Sequence, residues 1–256
     1  MNSLDRELFD ICAKALQKAR EAAILADNSV AQKRANIQTT ADLVAEKEII
    51  DHLRENKVSC TIYSEEQKEP LKLYGGRYEI VVDPIDGSFM FLHGIKTFTS
   101  SAMIVLEDRK VKYAFVQSIV DTDLYYCDEE AAYLNGKRLV CDTKNIQEPY
   151  FITGYAGSKE RASYVPKLAS IPSSYYFLND GGPKYSALVA ANMIDAAVEF
   201  KPTKFQEFAG AFIAQKAGAY IATIDGAPIQ MDPLSLQTMI TSRSEKLLRE
   251  LQKALA

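Results

Sequence analysis

Tyr78-Glu79-Ile80-Val81-Val82-Asp83-Pro84-Ile85-Asp86-Gly87-Ser88-Phe89-Met90-Phe91-Leu92-His93-Gly94 decides how this chain reads. Its aromatic and β-branched start predicts a strand over 78–82. The strand runs into two aspartates three residues apart, with Pro84 stiffening the bend. Two carboxylates at a sheet's end can converge on one cation, and hard divalent ions such as Mg2+ choose oxygen ligands. Gly87 lets the backbone turn tightly, and Ser88-Phe89 begins a helical turn whose N–H groups suit an anion. A carboxylate cage beside a phosphate-binding turn is what metal-assisted phosphate hydrolysis needs. On the residues alone, Asp-Gly after a strand is more often a plain turn, so both readings stand at this point.

Upstream, Cys60-Thr61-Ile62-Tyr63 reads as a strand running into Ser64-Glu65-Glu66, a sequence that is commonly a solvated loop. Residues 3–27 read as an amphipathic helix, with Leu4, Leu8, Ile11, Cys12, Ala15, Leu16, Ala19, Ala22 and Ala23 at helical spacing and Ser3 as N-cap. A second helix starts near Thr39-Thr40-Ala41-Asp42, a Ser/Thr-x-x-Asp start signal, and its apolar face holds Leu43, Val44, Ile49, Ile50 and Leu53. Downstream, residues 97–140 alternate as antiparallel strands, and Asn135-Gly136 predicts a type I′ hairpin turn. After about residue 145 the rhythm becomes strand and helix. Strands are expected at 151–153, 175–177, 196–199, 220–224 and 238–241, and helices at 184–193, at 206–217 ending on Gly218, and from Ser242 onward. The organisation expected is an α+β half over 1–145 that binds metal and phosphate, then an α/β half over 146–256 that carries the substrate loops.

The chain has 256 residues, 47% apolar and 25% charged, enough to bury a core without staples. Thirty Lys+Arg against 34 Asp+Glu give a net charge of −4, which argues against a whole-chain grip on nucleic acid. No apolar run approaches the roughly 18 residues of a membrane span. The N-terminus carries acids where a signal peptide has a basic start, so a cytoplasmic protein is expected. Cys12, Cys60, Cys127 and Cys141 form no Cys-x-x-Cys, and His52 and His93 are the only histidines. Free buried thiols are expected, and neither structural zinc nor histidine catalysis is supported.

Asp83 to Gly94 resembles the signature of the inositol monophosphatase family, Asp-Pro-Ile/Leu-Asp-Gly-Thr/Ser-x-Asn-Phe-x-x-Gly. That family includes fructose-1,6-bisphosphatases and 3′-phosphonucleotide phosphatases. Further matches fall in the same order. Ala41-Asp42-Leu43-Val44 resembles the family's preceding helix, and Ser64-Glu65-Glu66 its Gly-Glu-Glu. Phe205-Gln206-Glu207-Phe208-Ala209-Gly210, with Lys216-Ala217-Gly218-Ala219, resembles Trp-Asp-x-Ala-x-Gly followed by Glu-Ala-Gly-Gly.

The resemblance implies a layered α-β-α-β-α sandwich, its first sheet antiparallel and its second mixed, and a Mg2+-dependent phosphatase acting as a homodimer on a small polyol or sugar phosphate. Inositol-1-phosphate, fructose-1,6-bisphosphate or both would be the substrate. Carried over by position, Glu65, Asp83, Asp86, the carbonyl of Ile85 and Gln206 would hold metal. The amides of Gly87 and Ser88 would receive phosphate. The Ser88 hydroxyl would orient the attacking water with help from Glu48. Glu199 would touch a substrate hydroxyl, and Lys184 is a further substrate-binding candidate. Met90, Ala45 and Gln206 depart from the family's Asn, Thr and Asp. The last leaves the metal site one charge short, which opens an alternative: a phosphatase-fold binding or regulatory protein with reduced or lost turnover.

Overall fold

The computed structural model describes residues 3–26, 29–33, 37–146, 148–155, 158–171, 174–179 and 182–255. In chain order the elements are α1 (Ser3–Leu25), β1 (Val30–Lys33), β2 (Ile37–Thr39), α2 (Thr40–Glu55), β3 (Cys60–Ser64), β4 (Leu71–Leu73), β5 (Tyr78–Asp86) and α3 (Ser88–Leu92). Then come β6 (Ser100–Glu107), β7 (Lys110–Ser118), β8 (Leu124–Cys127), β9 (Ala132–Leu134), β10 (Lys137–Leu139), β11 (Tyr150–Tyr155), α4 (Ser158–Ala169) and β12 (Ser174–Asn179). The chain closes with α5 (Pro183–Ala190), β13 (Ala196–Lys204), a 3-10 turn at Phe205–Phe208, α6 (Ala209–Ala217), β14 (Tyr220–Ala222), β15 (Leu236–Ser242) and α7 (Glu245–Leu255).

Eight strands form one sheet in the order β10-β9-β8-β7-β6-β5-β3-β4, and five form a second, β12-β11-β13-β15-β14. Side chains alternate across a strand, and both faces of the large sheet are covered. Met103 and Val105 of β6 pack with Leu8, Cys12, Leu16, Ile49 and Leu53 under α1 and α2. Ala102, Ile104 and Leu106 of the same strand face the opposite way, onto Phe212 and Ile213 of α6 and Ala187 and Val189 of α5. That helical layer also meets Ala197 and Met239 of the second sheet. The second sheet's far face, with Ile152, Val198, Phe200 and Ile240, is closed by Leu168 of α4 and Leu247, Leu248 and Leu251 of α7. Five layers result, helix-sheet-helix-sheet-helix, as the resemblance implies.

The larger sheet is antiparallel except where β3 runs parallel to β5, and the smaller sheet is mixed. Asn135 and Gly136 take φ of 50° and 81° in the β9–β10 turn, the left-handed pair that a type I′ hairpin requires. All four cysteines are free and buried. No helix among the described residues is long and apolar enough to cross a membrane.

Some boundaries differ from the sequence reading. The β1–β2 hairpin, β4 and α4 were not expected, and the expected helix over 206–217 is a 3-10 turn followed by α6. Most consequential is β5, which does not stop at Val82 but continues through Asp86. Asp83 pairs with Ala102 and Asp86 with Ser100, so three steps on β5 oppose two on β6. This bulge tolerates Pro84, which has no N–H to give the ladder, and the Pro84 carbonyl accepts from Ser101 Oγ at 2.6 Å.

Candidate active site

Residues three apart on a regular strand point to opposite faces. The extra residue in the β5 bulge cancels that inversion, so Asp83 and Asp86 can serve the same side. The parallel pairing of β3 with β5 sets Ser64 beside Val82, and the Glu65 N–H donates to Val82 O at 3.1 Å. Glu65 therefore leaves its strand level with Asp83. From the second sheet, β13 carries Glu199, and the 3-10 turn after it packs against β5 and brings in Glu207. Carboxylate oxygens of Glu65, Asp83 and Glu207 all lie within 4.8 Å of one another.

Gly182, just ahead of α5, is where the acids of the two sheets meet. Its N–H faces Asp86 Oδ1 at 3.4 Å. A Cβ at this position would lie 2.6 Å from Glu207 Oε2 and 2.7 Å from Glu199 Oε1, so a side chain here would displace both carboxylates.

The cluster is electrostatically strained. Burial pushes the Asp83 carboxyl well above the usual carboxylate range, and the charges of Glu65, Glu207, Asp86 and Asp42 push it further. Glu207 is raised by burial, Glu199 and Glu65, with Lys204 and Lys201 pulling the other way. Glu199 is raised by burial and then by Asp86. Like charges at this spacing need a cation or a proton among them. Oε2 of Glu199 and Oε2 of Glu207 are buried without a hydrogen-bond partner among the described residues. Closely spaced oxygen donors, two of them unpartnered, fit a hard divalent cation such as Mg2+.

Beside the carboxylates stands a proton-handling chain. Ser88 Oγ lies 2.8 Å from Asp42 Oδ1 and 2.9 Å from the Ile85 carbonyl, so its one proton has two acceptors. Asp42 is fully buried at the third position of α2. Its Oδ2 accepts from both the N–H and the Oγ1–H of Thr39 at 2.6 Å, half of a capping box. Burial raises the Asp42 carboxyl although the hydrogen bonds from Thr39 and Ser88 oppose it. Gly87, at φ 81°, opens α3 with no side chain capping its N-terminus. Next to Asp42, Glu66 is held by Gln38 Nε2 and is pushed up to about 7 by burial and by the charges of Asp42 and Glu65.

The structure thus gathers Glu65, Asp83, Asp86, Ser88, the Ile85 carbonyl and Glu199, and it revises three of the expected roles. Glu48 does not reach Ser88. It lies six residues beyond Asp42 on α2, about 240° around the helix, and its charge is felt by Lys47 and His52. It is Asp42 that reaches Ser88 instead, a residue whose Thr39-x-x-Asp42 pattern was visible only as a helix start. Lys184 is not available to substrate. Its buried ammonium donates to Thr97 O at 2.8 Å and Ser118 Oγ at 2.7 Å and faces Asp121 Oδ2 at 3.4 Å, which uses all three of its protons. Gln206 is buried, with Nε2 unpartnered among the described residues, and it is the neighbouring Glu207 that brings a carboxylate to Glu65 and Asp83. The missing charge is therefore present, one position along. The two residues sit in a 3-10 turn that packs against β5 rather than in the first turn of a helix, and glutamate is a methylene longer than aspartate. On a regular α-helix Glu207 would point about 100° away from position 206. His93 is exposed, its ring 4.5 Å from that of Phe89.

Comparison with known proteins agrees with this geometry. The chain is 29% identical over 218 residues to the fructose-1,6-bisphosphatase/inositol-1-monophosphatase of Archaeoglobus fulgidus, covering 81% of this chain and 79% of that one. It is 26% identical over 202 residues to the Nus factor SuhB of Pseudomonas aeruginosa, covering 74% and 73%. An IMPase/NADP phosphatase solved in complex with Mg2+ and phosphate shares the fold with a TM-score of 0.82 at 17% identity, over 98% of this chain and 96% of that one. The sequence profile of the inositol monophosphatase family matches residues 1–256. Five layers, a bulged Asp-Pro-Ile-Asp strand and a whole-length profile match converge: this chain belongs to the inositol monophosphatase family.

Proposed function

We propose that the protein is a Mg2+-dependent phosphatase acting on a small polyol or sugar phosphate, inositol-1-phosphate, fructose-1,6-bisphosphate or both. The observation that carries this is the convergence of Glu65, Asp83 and Glu207 within 4.8 Å, beside the Ser88–Asp42 hydrogen bond. Glu65, Asp83, Asp86, Glu207 and the Ile85 carbonyl would hold the metal, with Gln206 a neutral neighbour. Bound Mg2+ supplies Lewis acidity toward phosphate oxygens and a lowered pKa for water.

The chain's own residues do the rest. When Ser88 donates its proton to Asp42, the serine lone pairs face outward and accept a proton from water, which fixes the direction of attack. Asp42 is clamped by Thr39 and raised by burial, so it is a stronger base than an exposed aspartate. The amides of Gly87 and Ser88, at the uncapped start of α3, receive phosphate oxygens. Glu199 accepts a hydroxyl of the substrate. On the resemblance, the enzyme would work as a homodimer.

The alternative, a binding or regulatory protein without turnover, rested on the neutral Gln206. A carboxylate of Glu207 within 4.8 Å of Glu65 and Asp83 argues against that alternative, since it would supply the fourth acid. Phosphate release from a panel of sugar and polyol phosphates across a Mg2+ series tests the proposal. Metal-dependent release from at least one substrate is expected. No release from any of them at any Mg2+ concentration would leave the regulatory reading in possession.

A further inference from the structure

Lys204 ends β13, three residues before Glu207. Its ammonium lies 3.5 Å from Glu65 Oε1, and Glu65 is one of the three acids whose oxygens crowd within 4.8 Å. The lysine side chain is 47% exposed and that of Glu65 19%, so the pair sits at the mouth of the cluster rather than within it. Lys112 and Lys184, by contrast, are buried and committed to fixed acceptors. A half-exposed lysine on a four-carbon stem can leave its partner without moving the backbone.

We propose that Lys204 is a tethered counter-ion: its ammonium occupies the Glu65 side of the cage in the metal-free protein, and a divalent cation must displace it to bind. The inference rests on Glu65 being a metal ligand. Because the competitor is part of the chain, it acts at a high and constant local concentration. The apparent affinity for metal is lowered by the fraction of molecules in which Glu65 is not paired. For an ion pair of ordinary exposed strength that factor is about two to six. The consequence is a metal requirement set higher than four carboxylates alone would give, so that occupancy follows the supply of Mg2+ instead of saturating early.

The test is a calorimetric titration of Mg2+ into chelator-stripped wild type, Lys204→Met and Lys204→Arg. Lys204→Met keeps most of the stem, removes the charge and should bind Mg2+ about two- to sixfold more tightly. Lys204→Arg keeps the charge and should stay within about twofold of wild type. Equal or weaker binding by Lys204→Met overturns the proposal, as does tightened binding by Lys204→Arg. A wild type that shows neither heat nor a Mg2+-dependent rise in Tm overturns the metal-site reading, and this inference with it. A wild type that binds while Lys204→Met is unchanged overturns the inference alone.

Discussion

Replacing Glu207 by Gln should make the protein more stable without metal and nearly deaf to metal. Two full charges 4.8 Å apart repel by about 3.5 kcal/mol at an effective dielectric near 20. Glu207 belongs to two of the three such pairs in the cluster, about 7 kcal/mol if all three acids are charged. Protonation sets the ceiling. Holding a glutamic acid neutral at pH 7 against a reference near 4.3 costs about 3.7 kcal/mol, and relaxation of the neighbouring acids reduces it further. A gain of about 2 kcal/mol is the reasonable size, or roughly 4–8 °C in Tm for a chain of this length. Wild type recovers about 2.7 kcal/mol when Mg2+ reaches a hundred times its Kd. Glu207→Gln should recover far less, so the two melting curves change order on adding Mg2+. Differential scanning calorimetry with chelator and with excess Mg2+ reads both effects. A variant that melts lower without metal, or keeps the wild-type Mg2+ response, would refute the placement of Glu207. A response altered by Gln206→Asp instead would return the ligand to position 206.

Three further outcomes are expected. Ser88→Ala should lower kcat about 10²–10⁴-fold with the fold intact, while Ser88→Thr stays active; steady-state kinetics decide, and an unchanged kcat reduces Ser88 to a turn former. In chelator, Tm should fall from pH 5 to pH 8. Asp83, Glu199 and Glu207 bind protons more tightly folded than unfolded, so the stability they permit at low pH is lost as pH rises through their raised values, with Glu66 adding a step near 7. The lowered carboxyls of Glu107 and Asp121 act only below the unfolded carboxylate range, and His52, whose lowered value works in the opposite sense, is a single group. Excess Mg2+ should flatten the profile, and a Tm that climbs over this range in chelator contradicts the clustered acids. Lys184→Met should cost about 3 kcal/mol of stability, seen in urea unfolding, and leave KM unchanged, because the ammonium serves Thr97, Ser118 and Asp121.

The individual elements were legible because their signals were local, while the five-layer order came from the family resemblance. The stripe from Leu8 to Ala23, the Asn135-Gly136 turn and the apolar run over 102–106 each have a period or a dihedral preference that few alternatives share. Glu65, Asp83, Asp86 and Ser88, which the structure brings close together, stood out as candidates because they lie in or beside one compact motif that the resemblance singles out. What escaped depended on distance. Asp42 meets Ser88 across 46 positions, and its side chain had an adequate local explanation as a helix cap. Glu207 enters through a 3-10 turn whose rotation per residue no composition announces. Lys184 stood as a substrate-binding candidate because a lysine's burial is invisible until its three acceptors are brought around it. Pro84 pointed to a bend, yet its strand runs on because a bulge removes the need for an N–H there.

That bulge has a kinetic consequence. It lies at the end of β5, beyond the rungs that pair with β3, which stop at Val82; past that point only β6 flanks the strand. Opening there parts one ladder rather than two, so amide hydrogens at the bulge should exchange sooner than those of Ile80 and Val81, held between β3 and β6. Asp83 and Asp86 thus ride on the end of a strand whose middle is held on both sides, neither in a free loop nor in the part of the sheet that opens last. A cation held by these carboxylates would then come and go with side-chain rotation and local motion of that strand end, without the whole sheet having to open.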